Sequence, residues 1–360
     1  MSQATTAQPE GVQLPAMLDP EAVEALKRLA KPMSFASGAV LMYQGRAAKG
    51  AFFIESGEVE ARVALPGGGD LPVARLGPGS VLGEMALIEQ GVVSATVIAR
   101  AEVRTQFVER DDFRALVAQR DAAVMKLQHA VAMVLAQKLR ALNARVLACD
   151  APEDAPAEDD PAGDPLANVP RTETAPFDYR RFLPLLPVFR EFGEEDIERV
   201  VAKAKLLELE RGQGLFAAGQ PVASSWIVVR GAVEVSARRG PPAAGARATR
   251  RRIAVLGPGQ WVGAMSQLDG AVHGSSGRAR EDSLLLEIGR AEFDALYYCG
   301  DSTSARIQRA LHVSLLQSLR HTNNQLSRLI SQARVRGRRD AVPVKELQSA
   351  LYGQLCHAAG

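Results

Sequence analysis

Two short stretches concentrate the residue types that could receive an anion. The first reads Leu82-Gly83-Glu84-Met85-Ala86-Leu87-Ile88 and continues, after a turn, as Val92-Val93-Ser94-Ala95-Thr96-Val97. A short helix opening at Gly83 would present backbone N–H groups that lack intrahelical acceptors. Small side chains would then let an anion come close to the main chain. On residue type alone Glu84 has two readings, an acceptor for a ligand donor or a helix-start carboxylate favoured by the local dipole. The second stretch, Gly263-Ala264-Met265-Ser266-Gln267-Leu268 followed by His273-Gly274-Ser275-Ser276-Gly277-Arg278, has no carboxylate where the first has Glu84. Its His273 could touch an anion when protonated, with Arg278 as a further cation, and the plainer reading of both is a solvated loop. Elsewhere no cluster of nucleophile, base and orienting group, no metal-ligand spacing and no Walker-type loop occurs, so binding is expected rather than catalysis, and no metal.

The two stretches belong to an internal repeat. Leu76-Gly77-Pro78-Gly79-Ser80-Val81-Leu82-Gly83-Glu84-Met85 returns as Leu256-Gly257-Pro258-Gly259-Gln260-Trp261-Val262-Gly263-Ala264-Met265, at an offset of 180 residues. The same offset relates Phe113, Ala115 and Leu116 to Phe293, Ala295 and Leu296, and Leu139-Arg140 and Asn143 to Leu319-Arg320 and Asn323. Upstream, Gly45, Phe52, Ile54, Gly57 and Val59 match Gly219, Trp226, Val228, Gly231 and Val233 at an offset of 174. The difference places extra residues between Val235 and Leu256, where Arg239-Gly240-Pro241-Pro242 reads as a lengthened turn.

The elements that must position these stretches are short strands broken by glycine turns. Ala51-Phe52-Phe53-Ile54 is a compact apolar run, and Val59, Ala61 and Val63 alternate with Glu58, Glu60 and Arg62, predicting one buried and one wet face. Helices are expected over 111–117 and 122–146, the second with Val124, Leu127, Val131, Leu135, Leu139 and Leu142 at three-and-four spacing. The second copy repeats that stripe with Ile307, Leu311, Leu315, Leu319, Leu326 and Ile330. Such stripes predict a partner, either the roll of the same chain or the same helix of a second copy, which makes a homodimer one expectation. The pattern implies a mainly β fold with α: two double-stranded β-helix (jelly-roll) domains, each closed by C-terminal helices. The expected boundaries are a flexible N-terminus at 1–17, a first domain at 18–149, an acidic flexible linker at 150–176, a second domain at 177–332, and a basic turn with a short helical tail at 333–360. Acidic residues among Ala and Pro are the ground for the linker, with a docking role as its alternative.

Composition sets the remaining bounds. The chain has 360 residues, 47% hydrophobic and 23% charged, which suits two globular domains, and its net charge of +2 gives no global attraction to nucleic acid or an anionic membrane. Cys149, Cys299 and Cys356 offer neither a disulfide framework nor zinc spacing. The polar N-terminus has no basic-then-apolar pattern and no run of 18 apolar residues occurs, so a cytoplasmic protein without membrane contact is expected.

The ordered set of Gly57, Leu76-Gly77-Pro78-Gly79, Gly83-Glu84 and Ser94-Ala95-Thr96, with the preceding strands and the closing helix, resembles the cyclic-nucleotide-binding domain family. That family includes the bacterial catabolite activator protein and the regulatory subunits of cyclic-AMP-dependent protein kinase, and the resemblance covers most of both copies. It implies a cyclic nucleotide, cAMP or cGMP, as ligand. It further implies that Glu84 accepts from a ribose 2′-hydroxyl, while the amides around Ala86 and Ala95 and the Ser94 hydroxyl meet the phosphate, within a cassette spanning Gly83, Glu84, Met85, Ala86, Val93, Ser94, Ala95 and Thr96. In the second copy Gly263, His273, Gly274 and Ser275 take the matching places. The family's phosphate-neutralising arginine falls at Val93, which offers neither charge nor donor, and at His273. Loss of a charged hydrogen bond of about 1.5–3 kcal/mol weakens binding roughly ten- to a hundredfold or more. Arg46, Lys49 and Arg100 could supply charge from outside the motif, each being otherwise an exposed surface residue.

Two basic stretches, Arg238-Arg239 with Arg247 and Arg250-Arg251-Arg252, and Arg334, Arg336, Arg338 and Arg339, read as solvated turns or as an acidic-partner surface onto which the linker could dock. Leu347, Leu351 and Leu355 after Pro343 predict a short tail helix. No helix-turn-helix is expected after the closing helices, so DNA is not an expected partner. Two readings remain: a cyclic-nucleotide-responsive regulator acting on a protein effector, and a ligand-independent scaffold that keeps the fold for protein association.

Overall fold

The computed structural model describes residues 18–64, 70–93, 95–149, 155–156, 163–172, 178–239 and 249–335. In the first repeat, α1 (Pro20–Leu29) starts where Asp19 Oδ1 accepts the Ala22 N–H at 2.7 Å, with Pro20 in the first turn. The chain then forms β1 (Ala30–Phe35), β2 (Val40–Met42), β3 (Gly50–Ser56), β4 (Val59–Ala64), β5 (Asp70–Leu76), β6 (Val81–Leu82), the single-turn α2 (Met85–Ile88), β7 (Thr96–Ala99), β8 (Val103–Glu109), α3 (Arg110–Ala118) and α4 (Ala122–Ala148). The strands pair antiparallel in two sheets, in the orders β1-β8-β3-β6 and β2-β7-β4-β5. Two compact units meet at a boundary inside α4, between Lys138 and Leu139.

Between the sheets of the first roll lies a core that includes Phe52, Ile54, Val59, Ala61, Leu76, Val97, Ala99 and Val103. The Phe52 ring meets Phe35 edge-on at 5.8 Å and Phe107 at 4.6 Å. The whole run Ala51–Ile54 is buried because Phe52 and Ile54 face the core between the sheets while α2 and α3 pack against β3. Val59 and Ala61 point inward as the alternation requires, but Glu60 departs from the expected wet face and is only 4% exposed. Its carboxylate accepts from Arg62 Nε at 2.5 Å and has the Nε atoms of Arg75 and Arg100 at 3.7 Å, so guanidinium groups rather than water cover it.

The second repeat adds β9 (Ala155–Pro156), β10 (Arg171–Thr172), α5 (Glu194–Lys203), β11 (Lys205–Leu209), β12 (Gly214–Phe216), β13 (Ser224–Arg230), β14 (Val233–Arg239), β15 (Thr249–Leu256), β16 (Trp261–Val262), α6 (Ala264–Asp269), β17 (Ser276–Ala279), β18 (Ser283–Gly289), α7 (Arg290–Tyr297) and α8 (Ser302–Val335). Its sheets run β10-β11-β18-β13-β16 and β12-β17-β14-β15-β9. The outermost strands β9 and β10 come from the stretch expected to be a free acidic linker, and this is a correction. Pro156 and Ala155 pair with Thr249 and Arg250, a place where an edge tolerates proline. Leu166 and Val169 join the second core, and the Arg171 guanidinium donates to the carbonyls of both, each at 2.7 Å, and to Glu287 at 2.9 Å. The acidic segment thus meets the basic hairpin, and Arg251, expected in a solvated turn, is 4% exposed and donates to the Val146 carbonyl in the last turn of α4. Arg336, Arg338, Arg339 and the expected tail helix lie outside the described residues.

The apolar stripes of the long helices are covered within the chain. Val124, Leu127, Val131, Leu135, Leu139 and Leu142 of α4 are at most 5% exposed, and Ile307, Leu311, Leu315, Leu319 and Leu326 of α8 at most 2%. This removes the ground for a homodimer built on those stripes: of the two expected partners, the chain itself supplies the cover. Among the described residues no helix is long and apolar enough to cross a membrane. Leu135 is fully buried, so Leu135→Ala should cost about 2–5 kcal/mol through lost transfer energy and a residual cavity. Urea unfolding monitored by far-UV circular dichroism should show the midpoint of the first roll fall while that of the second is kept.

Candidate functional site

In the first roll the cassette is framed by a left-handed glycine. Gly83 has φ of +72°, and a Cβ there would stand 2.7 Å from the Gly50 carbonyl oxygen, so both conformation and close strand approach exclude a side chain. The chain then turns through Glu84 into α2, whose residues Met85, Ala86, Leu87 and Ile88 are all buried. The Ala86 amide, expected to face an anion, donates instead to the Gly83 carbonyl at 3.0 Å and closes that turn. Ala86, Val93 and Ala95 come together in the core cluster with Ala48 and Met42. The Val93 amide donates to Arg46 O at 2.7 Å, and Thr96 Oγ1 accepts the Gln44 amide at 3.2 Å, tying the cassette to the loop before β3. Ser94 lies outside the described residues. Arg46 and Lys49 are exposed, and Arg100 is directed toward Glu60.

Glu84 is only 1% exposed, and its partner is a residue the sequence reading did not single out. Lys138 Nζ, on α4, lies 2.8 Å from Glu84 Oε1 and is itself 9% exposed. A buried carboxylate is tolerated when a counter-charge is placed against it, and the same pairing ties the cassette to the closing helix.

The second roll repeats the backbone with different chemistry. Gly263 has φ of +78°, and its missing Cβ would lie 3.3 Å from the Trp226 ring and 3.6 Å from His273 Cε1. His273 is 4% exposed, not part of a solvated loop, and stacks on Phe216 at 4.3 Å, which stacks in turn on Trp226 at 5.6 Å. Burial, followed by the charge of Arg140, holds the His273 pKa down at about 4, so the ring is neutral near pH 7 and does not act as a cation. The cation beside this cassette is Arg140. Its guanidinium grips Asp269 through Nε–Oδ2 at 2.5 Å and Nη2–Oδ1 at 2.8 Å, and donates to Ser266 Oγ at 3.1 Å, Val272 O at 3.1 Å and Ala271 O at 3.4 Å. Gly274 leaves room for it, since a Cβ there would sit 3.4 Å from Nη1. Ser275 and His273 line a cavity of about 370 Å³ beside the cassette, together with Trp261, Ala264, Ser266 and Ser318. Lys138, Arg140 and Asp269 were the residues missed. Arg140 was visible only as a repeat match to Arg320, with nothing local to connect it to Asp269.

Two antiparallel sheets closed by helices, occurring twice with a glycine-framed cassette in each copy, define a tandem β-roll protein. The cyclic nucleotide-binding domain family matches residues 32–120 and 206–297, together half of the chain, and the chain belongs to that family. It is 29% identical over 123 residues to the cyclic AMP receptor protein of Thermus thermophilus, covering 34% of this chain and 55% of that protein. It is 26% identical over 126 residues to the CRP-like cAMP-activated global transcriptional regulator of Mycobacterium tuberculosis, covering 35% and 54%. The chain thus spans about half the length of the curated relatives it matches. The regulatory domain of Toxoplasma gondii PKA, solved with cAMP, aligns over 79% of this chain and 87% of that one, at 16% identity and a TM-score of 0.29.

Removing one partner of the Glu84–Lys138 pair leaves a buried charge uncompensated. Glu84→Ala or Lys138→Ala should therefore each cost about 3–5 kcal/mol, and the double variant Glu84→Leu/Lys138→Met much less, in urea titrations of the three proteins. His273 titrates low in the folded state, so unfolding takes up its proton first. The stability it contributes is complete above its unfolded pKa of about 6.5 and is lost as pH falls toward about 4. Melting temperature across that window should fall more steeply for the native chain than for His273→Phe.

Proposed function

We propose that this chain is a regulatory protein that binds a cyclic nucleotide, cAMP or cGMP, at its first cassette and transmits occupancy through α4 to a protein effector in the cytosol. One observation carries the reading: Glu84, the carboxylate that the family resemblance pairs with a ribose hydroxyl, is held by Lys138 of the closing helix at 2.8 Å. A ligand donor at Glu84 would share this carboxylate with that ammonium, so ligand entry and the seating of the helix draw on one group. Glu84 with Ala95 would form the ligand face, and the role would be binding without a catalytic step.

A second reading, a scaffold that no longer binds, is favoured by Val93. It occupies the place of the family's arginine, is 6% exposed and contributes its methyl groups to the core, where an anion would lose water without gaining a charge. Calorimetric titration with cAMP and cGMP distinguishes the two. The regulator predicts weak heat for the native chain, a loss in Glu84→Ala, and a gain of about ten- to a hundredfold in Val93→Arg, the affinity equivalent of one charged hydrogen bond. No heat from the native chain, with binding restored in a folded Val93→Arg, identifies the scaffold.

A further inference from the structure

At the repeat offset, Glu84 and Lys138 of the first roll correspond to Ala264 and Ser318 of the second. Both halves of a buried ion pair are thus exchanged together for small uncharged side chains. Ala264 and Ser318 both line the 370 Å³ cavity, so where the first roll holds an ammonium against a carboxylate, the second leaves open space.

The chemistry of that space, among the described residues, is free of carboxylates, ammonium groups and guanidinium groups. Among the described residues lining it there is no Asp, Glu, Lys or Arg, and its titratable side chains are His273 and His321. Arg140 stands next to the cassette, but its donors are directed to the Asp269 carboxylate, Ser266 Oγ and the carbonyls of Ala271 and Val272, leaving its charge neutralised at close range. An anion entering the cavity would give up hydration without meeting a lysine or arginine in its lining, which is costly. Phe216 and Trp261 supply flat apolar wall, and Asn143, Gln260, Ser275 and Thr322 supply amide and hydroxyl groups. The volume lies within the range of about 300–1,000 Å³ usual for small-molecule pockets.

We propose that the second roll is a receptor for an uncharged small molecule with a flat apolar part and hydroxyl or amide groups, and that it discriminates against the same molecule bearing a cyclic phosphate. This goes beyond the proposed function, because it concerns a separate site and holds whether or not the first cassette binds a nucleotide.

The chain offers a readout confined to this site. It has two tryptophans, Trp226 and Trp261, and both lie in the second roll, one in the cavity wall and one stacked on Phe216. Tryptophan emission of the full chain is titrated with two matched pairs of probes, adenosine with cAMP and guanosine with cGMP. The expected result is saturable quenching by at least one nucleoside at a concentration tenfold or more below that needed by its cyclic phosphate. Ala264→Glu/Ser318→Lys, which installs the first roll's ion pair in the cavity, should abolish the nucleoside response. Ser318→Phe, which fills the space without charge, should do the same and covers the case in which the charged variant does not fold. The proposal is overturned if neither nucleoside changes the emission, if a cyclic phosphate binds as tightly as its nucleoside, or if a folded cavity variant responds like the native chain. Failure of the first-cassette reading would show separately, as no calorimetric heat from the native chain with cAMP or cGMP.

Discussion

Burying a carboxylate beside a glycine turn requires a counter-charge held at hydrogen-bond distance, because an ion removed from water without one costs several kcal/mol. Helix α4 meets this requirement at two neighbouring positions. Lys138 faces Glu84 at 2.8 Å, and Arg140 takes Asp269 through two nitrogens at 2.5 and 2.8 Å. The two cations are not interchangeable. A guanidinium fork matches both oxygens of Asp269 and still has donors for Ser266 and two carbonyls, whereas an ammonium acts as a point charge on a flexible stem. Each cassette is thereby tied to α4 by an interaction that tolerates little change on either side.

The two copies show which parts of the cassette belong to the fold and which to its chemistry. Gly83 and Gly263 share a positive φ, +72° and +78°, and each is closely approached by another element, the Gly50 carbonyl in one case and the Trp226 ring in the other. Those are backbone demands, and both copies meet them in the same way. The side chains have diverged. Glu84 and Lys138 become Ala264 and Ser318, while Val93, packed in an aliphatic cluster, becomes His273, stacked on an aromatic ring. Membership of a fold family therefore fixes where each cassette lies but not which side chains it carries.

Much of this was legible in the sequence because it is local or repeated. Glycine turns, alternating strands and the two helical stripes announce themselves within windows of a few residues, and the offset of 180 residues joins the two copies. What was not legible depends on pairing at a distance. Nothing near Arg140 indicates Asp269, 129 residues away, and nothing near Glu84 indicates Lys138, 54 residues away. The segment 150–176 was misread for a different reason. Its average composition is acidic and rich in proline, yet Leu166 and Val169 are individually placed to enter a core, and Ala155-Pro156 within the acidic run completes a sheet edge. Glu60 was assigned to the wet face because alternation gives the direction of a side chain but not what lies over it, and here three arginines do.

The absence of an arginine at Val93 has a consequence that depends on Lys138. Under the proposed function, a ligand hydroxyl donating to Glu84 would share the carboxylate with the Lys138 ammonium, 9% exposed, and weaken the hold of the pair. Two outcomes relieve that charge. Either the ammonium moves to an anionic group of the ligand, in which case Lys138 replaces the missing arginine from the helix, or α4 shifts until the ammonium reaches water. Under the proposed function both would make ligand occupancy and helix position a single equilibrium, since in each the energy of binding would include breaking a contact made by α4. An uncharged ligand could use only the second outcome, so under the proposed function the pair in the first cassette would favour an anionic ligand, a selection that the second cassette, having lost both members of the pair, could not make.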